Sequence, residues 1–499
     1  MKRLLTGLWL GLTWLAAHAQ VDSVIDFNLL VSQGFNQTEV FHHPRRQEAL
    51  VLNMKDFALR SYYWVDSVGD PPPVHVFDDR YKLGDWRYYF AHEVDLQGRY
   101  HVYYFDANDK VLRSRVFDPA TGDFEVHKNL FTLARNEVPI GMVGPTPQGL
   151  VLATMQKKTS RVNIYRFTPG QEADREHWRY DLSDQTFDES AWGSLYSAIL
   201  TMDLSKGKYN IKAHGVSALI GAHQSVGQAN TRMKLYVEDE KLIFTSDVDE
   251  GYSLVITFPL QANKQASVHR LSPSCEPCTK GNPFPPSSAV VQEHLIQVQG
   301  SPRALGFTVY DLTDFAVVHE EIYYKDSSEV FENTAQQESI SLGYTFTQLR
   351  FSYFEASSPE QVARKFFRAM RQGPPLLSAV PQGQDGIALR MIGLWENRAL
   401  IIGSAIMMGA LAGGLAAMVA EDRVITVDLN LDAQSWRARS TPTLPSQELS
   451  VFLQEVDTGL FDTILNYFHC GPHLWILYRP RLKAPGHEYR LQRITVDWP

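Results

Sequence analysis

Short runs of aromatic and β-branched residues, each bounded by turn residues, punctuate this chain, and their spacing limits what it can fold into. Between Glu93 and Val126 the sequence reads EVDLQGRYHVYYFDANDKVLRSRVFDPATGDFEV. Arg99 to Phe105 is one such run. In the next, VLRSRVF, Val111, Arg113 and Arg115 alternate with Leu112, Ser114 and Val116; a third, FEV, is shorter. DANDK and DPATGD stand between them and supply the Asp, Asn, Pro and Gly that tight turns require. The unit reads as an antiparallel meander. It recurs from Gly149 as QGLVLATM, QKKTS, RVNIYRF and TPGQ.

Comparable strand starts fall near Ala49, Gly98, Gly149, Gly193 to Ser197, Lys241, Glu293 and Gly343, about 44 to 52 residues apart. That interval suits one four-stranded blade with its connections. Four short strands cannot bury both faces of their sheet alone, so such sheets stack radially. The pattern predicts a mainly β fold, a β-propeller of about seven blades over residues 20–356, and resembles β-propeller repeat proteins in general. Two β-sandwiches in tandem are the rival arrangement. One turn adds to the resemblance: Asp249, Gly251 and Ser253, in KLIFTSDVDEGYSLVITF, match or nearly match the Asp-box of sialidase-like propellers. Asp247 stands in place of its first Ser and Leu254 in place of its Trp. In that family the box is a structural turn, so the resemblance implies a hairpin rather than catalysis.

Downstream the pattern changes. Ser358 suits a helix N-cap and Pro359 the N1 position. Val362, Phe366, Phe367 and Met370 then recur at helical spacing, while Arg364, Lys365, Arg368 and Arg371 take the other face. Gly373-Pro374-Pro375 ends this helix, and a linker is expected up to residue 398. Residues 399–420 carry no charge. As a helix rising ~1.5 Å per residue they reach the ~30 Å of a bilayer core, so a transmembrane helix is expected. Ala405, Gly409, Gly413 and Ala417 form a small-residue stripe on it, through which self-association is expected. Residues 421–499 read as a small α+β C-terminal domain, with a helix over SQELSVFLQEVDTGLFDTILNYF, or as strands that close the ring. Ring closure and a single crossing exclude each other.

The N-terminus, MKRLLTGLWLGLTWLAAHAQ, has a basic start, an apolar stretch and the small-x-small site Ala17-His18-Ala19, which together read as a signal peptide over residues 1–19. An exported protein of a bacterial cell envelope, membrane-anchored and facing the periplasm, is the expected setting. In an oxidising compartment Cys275 and Cys278, in the loop SPSCEPCTKGNPFPP, read as a small disulfide. Thr279 follows the second cysteine where a c-type haem site needs His, and no second CxxC completes a zinc site, so neither metal nor cofactor is expected. The net charge is −9 with Lys and Arg scattered, which excludes the basic face that nucleic acid requires.

No catalytic constellation is visible: GxSxG, HExxH, the P-loop and GxGxxG are absent. Trp86, Tyr88, Tyr89 and His92 form an aromatic cluster suited to sugar or peptide ligands. The sequence thus predicts a non-enzymatic binding or scaffold module with a protein or glycan ligand. A glycan-active hydrolase or lyase is one alternative, and a single-span receptor signalling through its tail is another.

Overall fold

The computed structural model describes residues 19–27, 37–77, 87–187, 194–196, 216–217, 233–325, 336–342, 349–354, 359–395, 423–439, 461–480 and 489–496, with short interruptions. Among the described residues the strands form seven separate sheets, each an antiparallel stack apart from one short parallel edge pair. Five follow the chain in order: blade 1 over residues 37–77, blade 2 over 87–132, blade 3 over 137–181, blade 4 over 216–271 and blade 5 over 287–324. Blade 6 has five strands, in the spatial order Leu376–Gln382, Gly386–Trp395, Arg423–Asp432, Gln336–Leu342, Leu349–Phe354. Blade 7 consists of Phe461–Cys470, His473–Pro480 and Tyr489–Val496, and its fourth strand is Ala19–Phe27 from the other end of the chain. The first strand of blade 7 lies against blade 6 on one side and blade 1 on the other, so the sheets close into a ring.

Hydrophobic burial explains the stacking, because five apolar clusters among the described residues each straddle two blades. Leu50 and Trp64 of blade 1 pack with Tyr100, Val102 and Phe117 of blade 2. Tyr103, Leu112 and Phe131 of blade 2 pack with Met142, Leu152, Tyr165 and Phe167 of blade 3. Blades 3 and 4 share a larger cluster containing Ile164, Leu235, Phe244 and Ile256. Tyr236, Val255, Leu295 and Tyr310 join blades 4 and 5. Blades 5 and 6 share Val298, Phe307, Leu389 and Val427 with the helix Pro359–Ala369, whose Phe366, Phe367 and Met370 are buried there. A blade therefore has no core of its own; the core is the set of seams.

A buried polar lock joins blades 4, 5 and 6. Lys234, 2% exposed, donates from Nζ to the carbonyls of Ser288 and Leu377, the latter at 2.8 Å. Asp247, 1% exposed, accepts from the amide of Ser288 at 2.7 Å, from its hydroxyl at 3.0 Å and from Ser253 Oγ at 2.6 Å. Gln297 extends the network by donating to Ser253 Oγ at 2.9 Å. Burial drives the lysine down to about 8 against the opposing pull of Asp247, and burial likewise raises the carboxyl of Asp247. The turn that resembles an Asp-box is a plain hairpin between Lys241–Ser246 and Ser253–Pro259; Asp249 lies outside the described residues. Asp247, the departure from that box, is the residue the lock uses.

Four expectations are corrected. The seven blades span residues 19–496 rather than 20–356, because the rhythm assigned a unit to Gly193–Leu200, where no strand lies among the described residues. Of the two readings of the stretch after residue 420, the ring-closing strands form rather than a separate α+β domain: its strands belong to blades 6 and 7, and Phe461–Phe468, expected as helix, lie in the strand Phe461–Cys470. The segment before the apolar run is likewise no linker but the strands Leu376–Gln382 and Gly386–Trp395. Trp395 stands opposite Arg423 in the register, so the run 399–420 leaves and re-enters blade 6 at the same end. A single crossing with the tail beyond the membrane, and the receptor built on it, do not fit this topology. The run itself, with Ala405, Gly409, Gly413 and Ala417, lies outside the described residues; among those described, no helix is long and apolar enough to cross a membrane.

The lock predicts a non-additive mutant pair. Lys234→Met strands a buried carboxylate and is expected to cost about 3–5 kcal/mol. Adding Asp247→Asn is expected to restore most of it, read as denaturant midpoints of the single and double variants.

Candidate functional site

Three of the four residues of the aromatic cluster expected to bind ligand, Tyr88, Tyr89 and His92, lie on one strand, Arg87–Val94. His92 is buried at 2% exposure within the strand Arg87–Val94. Tyr88 and Tyr89 are successive positions of that strand, opposite Phe105 and Tyr104, and Trp86 lies outside the described residues. Cys275 and Cys278 form a disulfide around the one-turn helix Glu276–Thr279, which the sequence reading left as a loop. Both cysteines are buried against Gly306, where a Cβ would stand 2.3 Å from that of Cys275. The bridge fastens this turn to blade 5, and its seclusion sets it apart from an exchanging redox pair.

Polar groups converge instead at the seam of blades 2 and 3, on strands the sequence defines well. In RVNIYRF the residues alternate between two seams. Val162 and Ile164 join the cluster shared with blade 4, while Tyr165 and Phe167 join the one shared with blade 2. Asn163 takes the blade 2 side, buried at 6%. The next strand, Gln171–Asp181, places Arg179, His177 and Arg175 opposite Asn163, Tyr165 and Phe167. These three are exposed, so the set runs from the seam to solvent.

Glu137, the first residue of the strand Glu137–Thr146, anchors the set. Its Oε1 accepts from Asn163 Nδ2 at 2.6 Å, and the Tyr165 hydroxyl lies 3.5 Å and 3.4 Å from its two oxygens. Asn163 Oδ1 accepts from Arg179 Nε at 3.2 Å and from His177 Nε2 at 3.3 Å, which fixes the asparagine's orientation. The imidazole of His177 stacks on Tyr165 at 4.5 Å between centroids, with planes 6° apart. Phe131 of blade 2 closes the seam at 4.7 Å from Tyr165, and Arg175 lies 4.7 Å over the Phe131 ring.

The electrostatics match this geometry. Burial raises the Glu137 carboxyl above its ordinary range. Burial, then the charge of Glu137, pushes the Tyr165 hydroxyl up to about 12. Burial and the two guanidiniums of Arg179 and Arg175 lower His177, which favours its neutral form. The seam thus offers a carboxylate acceptor, a neutral imidazole face, two guanidinium donors and aromatic walls. Such a set holds a polar ligand by hydrogen bonds and stacking. Sequence reasoning missed it, although an asparagine flanked by Val162 and Ile164 was a visible signal.

No family model matches this chain, and no curated protein matches it. Among solved structures, a triple arginine-to-alanine mutant of AofleA from Arthrobotrys oligospora is similar at 8% identity and a TM-score of 0.33, over 76% of this chain and 86% of that one. Aleuria aurantia lectin, described as a six-bladed β-propeller, is similar at 10% identity and a TM-score of 0.29, over 71% and 86%. A post-proline cleaving enzyme from Rickettsia typhi follows at 10% identity and a TM-score of 0.26, over 57% and 34%. These likenesses do not reach to site or ligand, and the ground for the propeller is the sheet pairing above.

The raised carboxyl of Glu137 makes a signed prediction. A group whose folded-state pKa lies above its unfolded value favours folding while protonated, and that contribution is lost as pH rises through the folded value. Glu137→Gln is therefore expected to unfold at a higher midpoint than the parent near neutral pH. The difference should vanish below the ordinary carboxylate range, as followed by thermal melts across pH.

Proposed function

We propose that this protein is an exported, envelope-associated β-propeller that binds a polar, hydroxyl-rich ligand of the glycan type without transforming it. The convergence of Glu137, Asn163, Tyr165, His177 and Arg179 at an open seam carries this reading. A carboxylate and guanidiniums accept from and donate to vicinal hydroxyls, and a stacked imidazole–tyrosine pair offers an apolar wall to a sugar face. A hydrolytic reading needs a second carboxyl group about 5–9.5 Å from the first. Asn163 Nδ2 donates to Glu137 at 2.6 Å and the Tyr165 hydroxyl lies 3.5 Å from it, contacts that hold the carboxylate as a fixed acceptor.

Export rests on the signal-like leader: removal of residues 1–19 leaves Gln20 to begin the ring-closing strand, most of whose pairing survives. Membrane association is carried by the uncharged run. Pinned at Trp395 and Arg423, it can enter lipid only as a two-legged excursion, each leg reaching about 16 Å as helix, roughly half the hydrocarbon core.

A glycan array probed with the exported chain, then titration calorimetry on the best hit, tests the binding reading. Arg179→Ala and Glu137→Gln are each expected to weaken binding at least tenfold, with folding intact. Parent affinity should begin to fall, on acidification, above the pH at which an ordinary carboxylate protonates. Glycan binding unchanged in both variants overturns the assignment of this seam, and turnover of the bound glycan would replace binding with hydrolysis.

A further inference from the structure

The helix Pro359–Ala369 lies near the strand ends Trp395 and Arg423 that flank the apolar run. Its chain continues through Pro374 and Pro375 into the strand Leu376–Gln382, which begins at the end of blade 6 where Gly386–Trp395 finishes and Arg423–Asp432 starts. Packing agrees with topology: a Cβ at Gly393, two residues before Trp395, would stand 2.9 Å from Ala369 and 3.2 Å from Phe366. Arg364 and Arg368 stand one turn apart on the helix, and Arg371 follows in the turn, its amide bonding to the Arg368 carbonyl, while Ala363, Phe366 and Met370 face the core. All three arginines are exposed, while those apolar residues are buried in the seam of blades 5 and 6.

We infer that this arginine stripe is a docking surface for anionic lipid headgroups. The inference rests on the membrane reading above and adds to it a lipid class and an orientation. A stripe of guanidiniums next to the point where an uncharged run leaves the fold lies at headgroup depth whenever that run is in lipid. Guanidiniums pair with phosphate bidentately, and each basic residue near an anionic surface strengthens attachment by about fivefold. The overall charge of −9 opposes such a surface, so attraction requires a local concentration of cations, as this helix provides. The ring axis is thereby tilted toward the bilayer at blade 6, while the seam of blades 2 and 3 lies elsewhere on the ring.

Flotation of the full mature chain with vesicles of phosphatidylcholine alone, or with a third phosphatidylglycerol, tests this. The parent is expected to bind both, the anionic vesicles more tightly and with strong salt dependence. Arg364→Gln/Arg368→Gln/Arg371→Gln is expected to lose on the order of a hundredfold on anionic vesicles and little on neutral ones. Equal binding of the parent to both vesicles overturns the arginine stripe and leaves the membrane reading standing; binding to neither overturns both. A melting midpoint within a degree or two of the parent's establishes that the variant is folded, since the substituted side chains are exposed.

Discussion

The pairing of Ala19–Phe27 with Tyr489–Val496 is the interaction on which the rest depends. Without it blade 7 has three strands and an unpaired edge, and an unpaired edge recruits other chains. With it, the first and last described strands are neighbours and every blade has one on either side. The contact also joins residues more than 460 positions apart, so closure carries a large loop entropy and comes after the local meanders have formed. A single crossing by residues 399–420, with the tail on the far side, does not fit for the same reason, since the strands before and after the run pair in one sheet.

Seams, rather than blades, are the functional units of this fold. Alternation along a strand sends successive side chains to two different seams, so one strand serves two clusters. RVNIYRF does this with Val162 and Ile164 on one side and Asn163, Tyr165 and Phe167 on the other. The seams diverge in chemistry. Between blades 4, 5 and 6 the polar groups Lys234, Asp247, Ser253 and Ser288 are sealed, and they serve as a lock. Between blades 2 and 3 the polar set ends in the exposed Arg175, His177 and Arg179, and the same kind of network becomes a place where a ligand can rest. Buried polar groups without a ligand to hold are a liability unless every one is paired, which is why the sealed seam engages each charge with several partners.

How far the sequence showed this is visible strand by strand. The strand starts at Ala49, Gly98, Gly149 and Glu293 fall at or beside the second strands of blades 1, 2, 3 and 5, and Lys241 begins the third strand of blade 4, because those hairpins are local and carry their own turn residues. Seven sheets form among the described residues, but not at the positions the rhythm gave them. The segment near Gly193 mimicked a strand start, while blades 6 and 7 take strands from both sides of long interruptions, which no local period reveals. The hairpin turn at Gln292 and Glu293 shows the same limit on a smaller scale. Both residues are left-handed, at φ of 47° and 59°, without the Asn or Gly that such turns favour. The candidate site was missed because its members, Glu137, Asn163, Tyr165, His177 and Arg179, come from three strands whose register had to be known first. Lys234 was ordinary in sequence; only burial between three inner strands makes it a hub.

Ring closure is open to a direct test by cross-linking. Val24 stands opposite Gln492, whereas Arg479 lies one strand further in. With Cys470 replaced by serine, Val24→Cys/Gln492→Cys should oxidise to an intramolecular disulfide in the monomer, identified by peptide mass mapping. Val24→Cys/Arg479→Cys, two strand spacings across the sheet and three residues along it, roughly 14 Å apart, should not. Linking of 24 to 492 and not to 479 is the outcome the closed propeller predicts. A folded monomer that links neither pair, or both equally, would contradict it, and with it the seven-bladed ring.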